Sequence, residues 1–271
     1  MEKFKSKLKD SLPDPILNTV RNIRDGVRRL PQDVEAYTHP LRVDTMRRLR
    51  QFHDMYKGER CFIIGNGPSL NKTDLSKLKN EYTFGMNRIF LMFEELGFST
   101  TFFVSMNDLV IEQSVEDIQK LEIPKFVNWR ARNWLHPQDD LYFLYATYAG
   151  PKFSKNATCR LWEGATVTYV SLQLAYYFGF SEVILIGVDH SFATKGAPNT
   201  TITSQGDDPN HFNPKYFGKG FRWQLPDLET SEIAYTMARQ VYENTGRRVV
   251  DATVGGKLTI FPKVDYDSLF Q

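Results

Sequence analysis

The stretch that decides the fold is CFIIGNGPSL, residues 61–70, in which a short apolar run breaks into a glycine-containing turn. Such a run followed at once by glycines is typical of a buried strand that ends in a turn. Gly65, Asn66 and Gly67 would let backbone N–H groups approach a phosphate or nucleotide closely, and the hydroxyl of Ser69 follows. The dinucleotide fingerprint needs a third glycine where this chain has leucine, and a P-loop needs a lysine that is absent here. The sequence therefore predicts a ligand-binding turn that is neither of these two motifs.

Short apolar runs alternate with longer amphipathic ones on the C-terminal side of this turn. The runs typical of strands are CFIIG, YTFGMN, TTFFVSMN, KFVNW, EVILIGVD and RRVVDAT, and helical periodicity separates most of them. The most apolar predicted helix is GATVTYVSLQLAYYFGF, directly before EVILIGVD. This alternation predicts an α/β fold: a doubly wound, mostly parallel Rossmann-like sheet with helices on both faces.

Polar side chains occur where several of the predicted strands end. Asn87 ends YTFGMN, Asn107 ends TTFFVSMN, Asp189 ends EVILIGVD, and Asn128 lies in KFVNW. A single asparagine after a strand is usually a turn former. Because the carboxyl ends of parallel strands meet at one edge of a sheet, several such residues beside a glycine turn predict a ligand-binding crevice there.

The chain divides into two predicted parts. Residues 1–58 form a basic helical arm, and residues 59–271 form the Rossmann-like domain, in which the irregular stretch 193–225 is a lid-like loop. Residues 1–60 carry 14 Lys/Arg against 9 Asp/Glu, a local charge of +5. The arm has two interpretations: a helix on an anionic membrane surface, or a solvated helix that packs on the domain or on a second subunit of a homo-oligomer. The second is favoured because the apolar face is short for stable membrane anchoring.

The composition argues against several classes of protein. A net charge of only +2 in 271 residues is not expected of a protein that binds nucleic acid. The two cysteines, Cys61 and Cys159, are too few and too far apart for a disulfide scaffold or a zinc site. The sequence contains no signal peptide and no long uncharged apolar stretch. We therefore expect a cytoplasmic protein, peripheral to a membrane if the arm binds one.

Five stretches resemble, in their order, the motifs of known families: IIGNGPSL, MNRIF, SMNDL, GATVTYVSLQLAYYFGFSEVILIGVD and PNHFNPKYFG. One such family is the bacterial sialyltransferases of glycosyltransferase family 42. The other is the broader family described as 6-hydroxymethylpterin diphosphokinase MptE-like (domain of unknown function 115), which includes motility accessory factors linked to flagellin glycosylation. The resemblance covers residues 60–251. It implies a nucleotide-sugar-binding catalytic domain.

The resemblance implies a glycosyltransferase that moves a nucleotide-activated sugar, a CMP-linked nonulosonic (sialic-type) acid, onto a glycan or protein acceptor. The family's general base is a histidine in an Asn/Ser-His-aromatic context, which His211 matches. A histidine suits the removal of a proton from an acceptor hydroxyl, because it titrates near neutral pH. Since the leaving group is a nucleoside monophosphate, we expect no metal and no cofactor. The expected donor-binding residues are Gly65, Asn66, Gly67, Ser69, Asn87, Asn107, Gly164, Ala165, Thr166, Asp189 and His190.

The chain departs from the sialyltransferases at one place. Those enzymes have two tyrosines soon after the Gly-x-Asp strand to hold the leaving phosphate, whereas this chain has HSFATK at residues 190–195. Either Tyr216 or His190 is the expected substitute, or the donor differs. Lys219 and Arg222, in the same loop as Tyr216, are further candidates for charge stabilisation.

Two other functions remain as alternatives. The first is an Mg-ATP-dependent 6-hydroxymethylpterin pyrophosphokinase, in which Mg²⁺ would be held by Asp189, Asp207 or Asp208. We rank the pyrophosphokinase below glycosyl transfer because the chain lacks a Walker lysine. The second is a non-catalytic nucleotide-binding or assembly module that uses the basic arm as its interface. A histidine in a polar loop, His211, argues against that module.

Overall fold

The computed structural model describes residues 14–148 and 150–271, and of residues 14–25 only the backbone. In chain order the strands are β1 (Arg60–Ile64), β2 (Tyr82–Met86), β3 (Phe102–Ser105), β4 (Lys125–Asn128), β5 (Leu141–Leu144), β6 (Ala146–Thr147), β7 (Leu161–Trp162), β8 (Glu182–Ile186), β9 (Thr201–Thr203), β10 (Arg222–Gln224) and β11 (Arg248–Asp251). Across the main sheet the strand order is β11-β8-β1-β2-β3-β4-β5, and every neighbouring pair is parallel. The predicted doubly wound α/β fold is therefore confirmed.

Most of the helices are short, and they surround the sheet. In chain order the α-helices are α1 (Asp14–Thr38), α2 (Pro40–Leu49), α3 (Phe93–Leu96), α4 (Asp108–Glu112), α5 (Val115–Lys120), α6 (Val167–Phe178) and α7 (Leu228–Glu243). Short 3₁₀ turns lie at Arg50–Phe52, Pro68–Lys72, Leu75–Leu78, Ile89–Met92, Trp129–Asn133 and Asp267–Phe270.

Helix α6 is the apolar helix that the sequence predicts, and it packs across β1, β2 and β3. Its residues 168–178 are all buried, which explains why the pattern is apolar all around the helix. It ends at Gly179, whose φ of 99° is the left-handed conformation that glycine adopts at helix C-termini.

The strand order changes direction beside β1. From β1 the chain moves outward through β2, β3 and β4 to β5, and then returns to place β8 on the other side of β1. In open α/β sheets, ligands bind at such a switch point, outside the carboxyl ends of the strands. Here Gly65 follows β1 and Gly187 follows β8, so the glycine turn lies at the switch point.

The chain separates into two compact units, Met1–Val43 and Asp44–Gln271. Within the first unit the described residues are mostly helical, in agreement with a helical arm. This division falls after Val43, whereas the predicted boundary falls after residue 58, and Leu49 and Phe52 between the two positions belong to the core of the second unit. The Phe52 ring stacks on Phe178 with centroids 4.8 Å apart. The basic stretch MEKFKSKLKDSL lies outside the described residues.

The lid-like loop 193–225 has more structure than its sequence indicates. Strands β9 and β10 pair in it as an antiparallel hairpin. The Phe217 ring stacks on Trp223 with centroids 5.3 Å apart. The guanidinium of Arg88, just after β2, donates to the backbone carbonyls of Lys215 and Tyr216. These contacts fix the loop over the carboxyl edge of the sheet.

The edge strand β5 was not among the predicted strands. It pairs with β4 over four residues and is followed by the short parallel pair β6–β7 rather than by a helix. In the part of the chain that the structure describes, no helix combines the length and the apolar composition that a membrane span requires.

Candidate functional site

A cavity of about 730 Å³ lies beside the switch point, at the carboxyl edge of the sheet. Its walls come from the ends of β1, β2, β3 and β8, the N-terminus of α6 and the loop 193–225. A volume of this size falls within the range of small-molecule binding sites. The predicted site residues that line it are Gly65, Asn66, Gly67, Asn87, Asn107, Ala165, Thr166, Asp189, His190, His211 and Tyr216.

The two glycines of the turn let the loops after β1 and β8 touch. The N–H of Gly65 donates to the carbonyl of Ile186, and that of Gly67 donates to the carbonyl of Gly187. A Cβ on Gly65 would lie 2.1 Å from the Gly187 carbonyl oxygen, and one on Gly67 would lie 1.8 Å from Oδ2 of Asp189. Both amides are therefore used within the protein, and the glycines serve the packing of the two loops.

Ser69 and Asp189 join the same two loops. The Ser69 hydroxyl donates to Oδ2 of Asp189 at 2.6 Å, and its backbone N–H donates to Oδ1 at 3.2 Å. Ser69 is buried and does not line the cavity, whereas Asp189 does. The serine thus orients the aspartate, which is the member of the pair that a ligand can reach.

Three asparagines in the cavity wall have different local roles. The side-chain oxygen of Asn66 is buried and makes no hydrogen bond with the described residues, so it is an unsatisfied acceptor in a residue of the cavity wall. Asn87, with a φ of 52°, accepts from the hydroxyl of Ser105. Asn107 caps the first turn of α4 and donates to Gln224 of the loop 193–225.

The N-terminus of α6 forms another wall of the cavity. Thr166 is its N-cap, and its hydroxyl accepts from the backbone N–H two residues further on. Gly164 and Ala165, with φ of 53° and 60°, turn the chain into the helix. Gly164 does not line the cavity; a Cβ there would lie 2.4 Å from the ring of Tyr169. A helix N-terminus favours anions, so this wall suits a phosphate.

His211 is held by an aspartate three residues earlier in the chain. Its Nδ1 lies 2.6 Å from Oδ2 of Asp208, whose side chain is only 2% exposed. Asp208 also accepts hydrogen bonds from the backbone N–H groups of Asn210 and Phe217. Burial raises the pKa of Asp208, but the bond to His211 and the two amides outweigh burial and lower it. An ionised Asp208 requires a proton on Nδ1, which leaves Nε2 as the basic nitrogen of the ring.

The imidazole of His211 is also fixed by aromatic rings. It lies nearly parallel to the Tyr216 ring, with centroids 4.0 Å apart, and Phe217 meets it edge-on at 4.8 Å. The ring lines the cavity, and its Nε2 makes no hydrogen bond with the described residues. The His211 ring is therefore fixed by Asp208 at Nδ1 and by the Tyr216 ring, while its Nε2 has no partner among the described residues.

Tyr216 packs against one face of the His211 ring. It is fully buried, its hydroxyl accepts from the backbone N–H of Arg88, and burial raises its pKa. Its hydroxyl is therefore engaged within the protein, and a role in holding the leaving phosphate stays a prediction. Lys219 and Arg222 do not line the cavity, and Arg222 pairs with Glu112 at 2.9 Å.

His190 is the second histidine that lines the cavity. It has a φ of 54°, and its Nε2 lies 2.8 Å from Oε1 of Glu232 on α7. Its side chain is 8% exposed. The Nε2 of His190 is thus paired with a carboxylate, whereas the Nε2 of His211 is not.

An ion-pair network that the sequence did not point to also lines the cavity. The guanidinium of Arg130 lies 2.6 Å from Asp108 and 3.4 Å from Glu163. Burial raises the pKa of Glu163 by more than Arg130 lowers it. Asn128 donates to Asp108 but is itself buried and outside the cavity wall. Asp108 directly follows Asn107, which was the available signal, whereas only the tertiary fold brings Glu163 to them.

The described residues contain no group of three or more His, Cys, Asp or Glu side chains placed to hold a metal ion. Of the carboxylates considered for Mg²⁺, Asp189 and Asp208 each accept hydrogen bonds from neighbouring residues, and Asp207 does not line the cavity. The residues around the cavity therefore provide an anion-binding helix terminus, an unsatisfied acceptor at Asn66 and a basic nitrogen on His211.

Comparison with known proteins identifies the family. Residues 40–195 match the family model described as 6-hydroxymethylpterin diphosphokinase MptE-like, which is more than half of the chain. The chain belongs to this MptE-like family. The predicted resemblance is thereby confirmed. The match includes the glycine turn, α6 and Asp189 but ends before His211. The chain matches no curated protein.

One solved structure shares the fold at low sequence identity. The MAf glycosyltransferase from Magnetospirillum magneticum AMB-1 is similar with a TM-score of 0.50 and 13% identity, over 84% of this chain and 39% of that protein. This chain thus spans less than half of that protein's length, and the similarity shows a shared fold. A mammalian sialyltransferase in complex with Gal-beta-1-3GalNAc-ortho-nitrophenol has a TM-score of only 0.36 and 12% identity, over 86% of each chain.

Proposed function

We propose that this MptE-like protein is a glycosyltransferase that moves a nucleotide-activated sugar onto a glycan or protein acceptor. The observation that carries the proposal is His211, held at Nδ1 by the buried Asp208 at 2.6 Å and open to the cavity at Nε2. The same cavity contains the N-terminus of α6. Glycosyl transfer needs these two features together: a base for the acceptor hydroxyl and a site for the phosphate of the donor.

In the proposed reaction, Nε2 of His211 takes the proton of the acceptor hydroxyl as its oxygen attacks the anomeric carbon of the donor. The bond between that carbon and the donor's phosphate oxygen breaks, and the nucleotide leaves with the electron pair. Asp208 stabilises the imidazolium that results. The N-terminus of α6, with Thr166 as its cap, stabilises the charge on the departing phosphate.

We propose a CMP-linked nonulosonic acid as the donor, on the basis of the sequence resemblance to the sialyltransferases. A nucleoside monophosphate leaves without a metal to bridge two phosphates, so the proposed transfer is metal-independent. Asn87, Asn107 and Asp189 are proposed contacts to the nucleotide and sugar. The unsatisfied side-chain oxygen of Asn66 is a further proposed contact, to an amino or hydroxyl group of the donor, because a buried acceptor gains from a hydrogen-bond partner.

The family description favours one alternative, pyrophosphate transfer from ATP to a 6-hydroxymethylpterin. That reaction would require Mg²⁺ beside the triphosphate, with Asp189 as the cavity carboxylate nearest to the glycine turn. The chain lacks the lysine with which a P-loop holds the phosphates of ATP, which is why glycosyl transfer ranks first.

A thermal-shift titration distinguishes glycosyl transfer from pyrophosphate transfer. The ligands are CMP, CDP, UDP, GDP and ATP, each with and without Mg²⁺. A ligand at a hundred times its Kd adds about 2.7 kcal/mol of stability, which moves Tm by several degrees. We expect CMP to stabilise the protein without metal. Stabilisation by ATP with Mg²⁺ and by nothing else would overturn the proposal in favour of the pyrophosphokinase. No response to any nucleotide would favour the non-catalytic assembly module.

Variants of histidine then test the catalytic step. His211→Ala should keep the thermal shift with CMP and lose about 10²- to 10⁴-fold in transfer rate from a CMP-sugar, the usual contribution of a general base. His136→Ala is the matched control, because His136 is exposed and does not line the cavity. Equal rates for the two variants would exclude His211 as the base.

A further inference from the structure

A second cavity, of about 350 Å³, adjoins the larger cavity that contains His211. The two cavities share a wall, which the segment after β8 and the start of α7 provide. The residues that line both cavities are His190, Ser191, Phe192, Leu225, Pro226 and Leu228. Because the wall is shared, a ligand in the second cavity would lie beside the proposed donor site.

The second cavity is basic. Lys195 and Lys257 line it, and none of the Asp and Glu residues that the structure describes does. Both lysines are exposed, and neither forms an ion pair with a described residue. His190, in the shared wall, is already paired with Glu232, which lines neither cavity. An anion in the second cavity would therefore gain two ammonium partners without displacing a carboxylate.

The larger cavity has the opposite charge. Among the described residues, its charged walls consist of one arginine and four carboxylates, Arg130 against Asp108, Glu163, Asp189 and Asp227. The N-terminus of α6 is its anion-binding element, and the proposed donor phosphate occupies that terminus. Like charges repel strongly in a partly enclosed site, so a further anionic group is disfavoured in the larger cavity. The charges thus direct a second anion to the second cavity.

The segment that contains Lys195 is fixed to the loop of the proposed base. The side-chain oxygen of Asn210, which directly precedes His211, accepts from the backbone N–H of Ala193 at 2.7 Å. After Lys195, the chain packs so closely on Leu225 that a Cβ on Gly196 would lie 2.4 Å from the leucine side chain. The backbone is therefore held on both sides of Lys195.

Lys257 and the shared wall are fixed close to the larger cavity as well. The backbone N–H of Lys257 donates to the carbonyl of Asp189 at 2.9 Å. The Phe192 ring, in the shared wall, has its centroid 6.4 Å from that of the His211 ring. The proposed base thus lies just across the shared wall from the basic cavity.

We propose that the second cavity binds an anionic group of the acceptor, a carboxylate or a phosphate ester carried on a sugar. The proposal rests on the proposed glycosyl transfer and names its acceptor class, an acidic glycan. Lys195 and Lys257 pair with the anionic group, and the sugar extends past Phe192 to bring a hydroxyl to Nε2 of His211. Lysine is a flexible point charge, so these two residues select for negative charge and accept a planar carboxylate or a tetrahedral phosphate.

Binding without a donor tests the second cavity by itself. The probes are methyl β-glucoside and methyl β-galactoside, each in three forms: neutral, phosphorylated at the primary hydroxyl, and oxidised there to a carboxylate. Calorimetric titration of the full chain should show tighter binding of both anionic forms than of the neutral form. Lys195→Ala/Lys257→Ala should weaken the binding of the anionic forms on the order of tenfold or more, because the charge-assisted hydrogen bonds are lost.

The matched control is Lys215→Ala, since Lys215 is an exposed lysine of the loop 193–225 that lines neither cavity. This variant should bind the anionic glycosides as the wild type does. Equal binding of neutral and anionic forms by the wild type would overturn the proposal. Anionic binding that is unchanged in Lys195→Ala/Lys257→Ala would also overturn it.

Transfer kinetics separate this proposal from the proposed function. The donor probe is CMP-N-acetylneuraminic acid, and the acceptors are the same glycosides. Lys195→Ala/Lys257→Ala should raise the KM for an anionic acceptor on the order of tenfold and leave the KM for the donor unchanged. Lys195→Arg/Lys257→Arg should restore the acceptor KM, because arginine keeps the charge. A raised KM for the donor in place of the acceptor would overturn the proposal and assign the lysines to the donor.

The wild type alone reports on the proposed function, through its thermal shift with CMP and its hydrolysis of the donor when no acceptor is present. A wild type that binds the anionic glycosides but shows neither response would support the anion site and contradict glycosyl transfer. A wild type that hydrolyses the donor but transfers no sugar to any anionic glycoside would support the donor site and overturn the acidic acceptor.

Discussion

Asp208 accepts three hydrogen bonds, from the His211 ring and from the amides of Asn210 and Phe217. Burial raises its pKa, and these bonds lower it by more. A carboxyl whose pKa is lowered on folding adds stability above its unfolded pKa of about 3.9, and that stability is lost as pH falls through the lower, folded pKa. We therefore expect Asp208→Asn to lower the free energy of unfolding by about 1–3 kcal/mol at pH 7. Below about pH 4 the difference in this free energy between the variant and the wild type should become smaller. Urea unfolding at pH 7 and pH 3 measures this gap.

The neighbouring aspartate provides the control. Asp207→Asn changes an exposed carboxyl and should leave stability nearly unchanged at both pH values. A gap for Asp208→Asn that is the same at pH 7 and pH 3 would contradict the role assigned to its charge. Asp208 and His211 lie three residues apart, so their proximity is visible in the sequence. Which of the two adjacent aspartates faces the histidine is set by the path of the loop, where the Asp208 amide donates to the Pro214 carbonyl.

At the scale of the elements, the loops after β1 and β8 pack against each other through glycines. A Cβ on Gly67 would lie 1.8 Å from Oδ2 of Asp189, a carboxylate that Ser69 already holds. Gly67→Ala must displace that carboxylate, so we expect a loss of about 1–3 kcal/mol in the free energy of unfolding. Gly218→Ala is the control, because its Cβ would meet only an ordinary contact at 3.5 Å. Equal midpoints of urea unfolding for the two variants would contradict this prediction and show that the contact between the loops after β1 and β8 adds little stability.

The elements that the sequence predicts well are those whose signal is local. Strands β1 and β8 are apolar and buried after their first residue, and α6 is buried over three turns. The contact between their loops joins Gly67 to Asp189, residues whose pairing depends on the strand order. Strand β5 was not predicted because no helix follows it, so the alternation of strands and helices that marks the other strands is missing there. The hairpin in the loop 193–225 has strands of three residues, too short for a period.

At the scale of the whole molecule, the candidate site combines parts that lie far apart in the chain. The glycine turn, the N-terminus of α6 and His211 come from three regions, and only the switch point of the sheet brings them to one cavity. The edge rule for parallel sheets predicts that the glycine turn meets the residues that end the neighbouring strands, whereas His211 was expected at the site only from the sequence resemblance. The pairing of Arg130 with Asp108 and Glu163 was not predictable, because it depends on side-chain positions that no local pattern fixes.

The boundary between the two units lies between Val43 and Asp44. A chain beginning at Asp44 keeps Leu49 and Phe52, whereas one beginning at Glu59, the boundary expected from sequence, loses both from the core. Phe52 stacks on Phe178 and meets Tyr142 edge-on with ring centroids 5.4 Å apart, so its removal opens a cavity in the aromatic core. Each large buried side chain lost costs about 2–5 kcal/mol, against a total stability of about 5–15 kcal/mol. We expect residues 44–271 to unfold cooperatively on heating and residues 59–271 to lack a cooperative transition. Circular dichroism melts of both fragments measure this, and equal melts would place the boundary after residue 58.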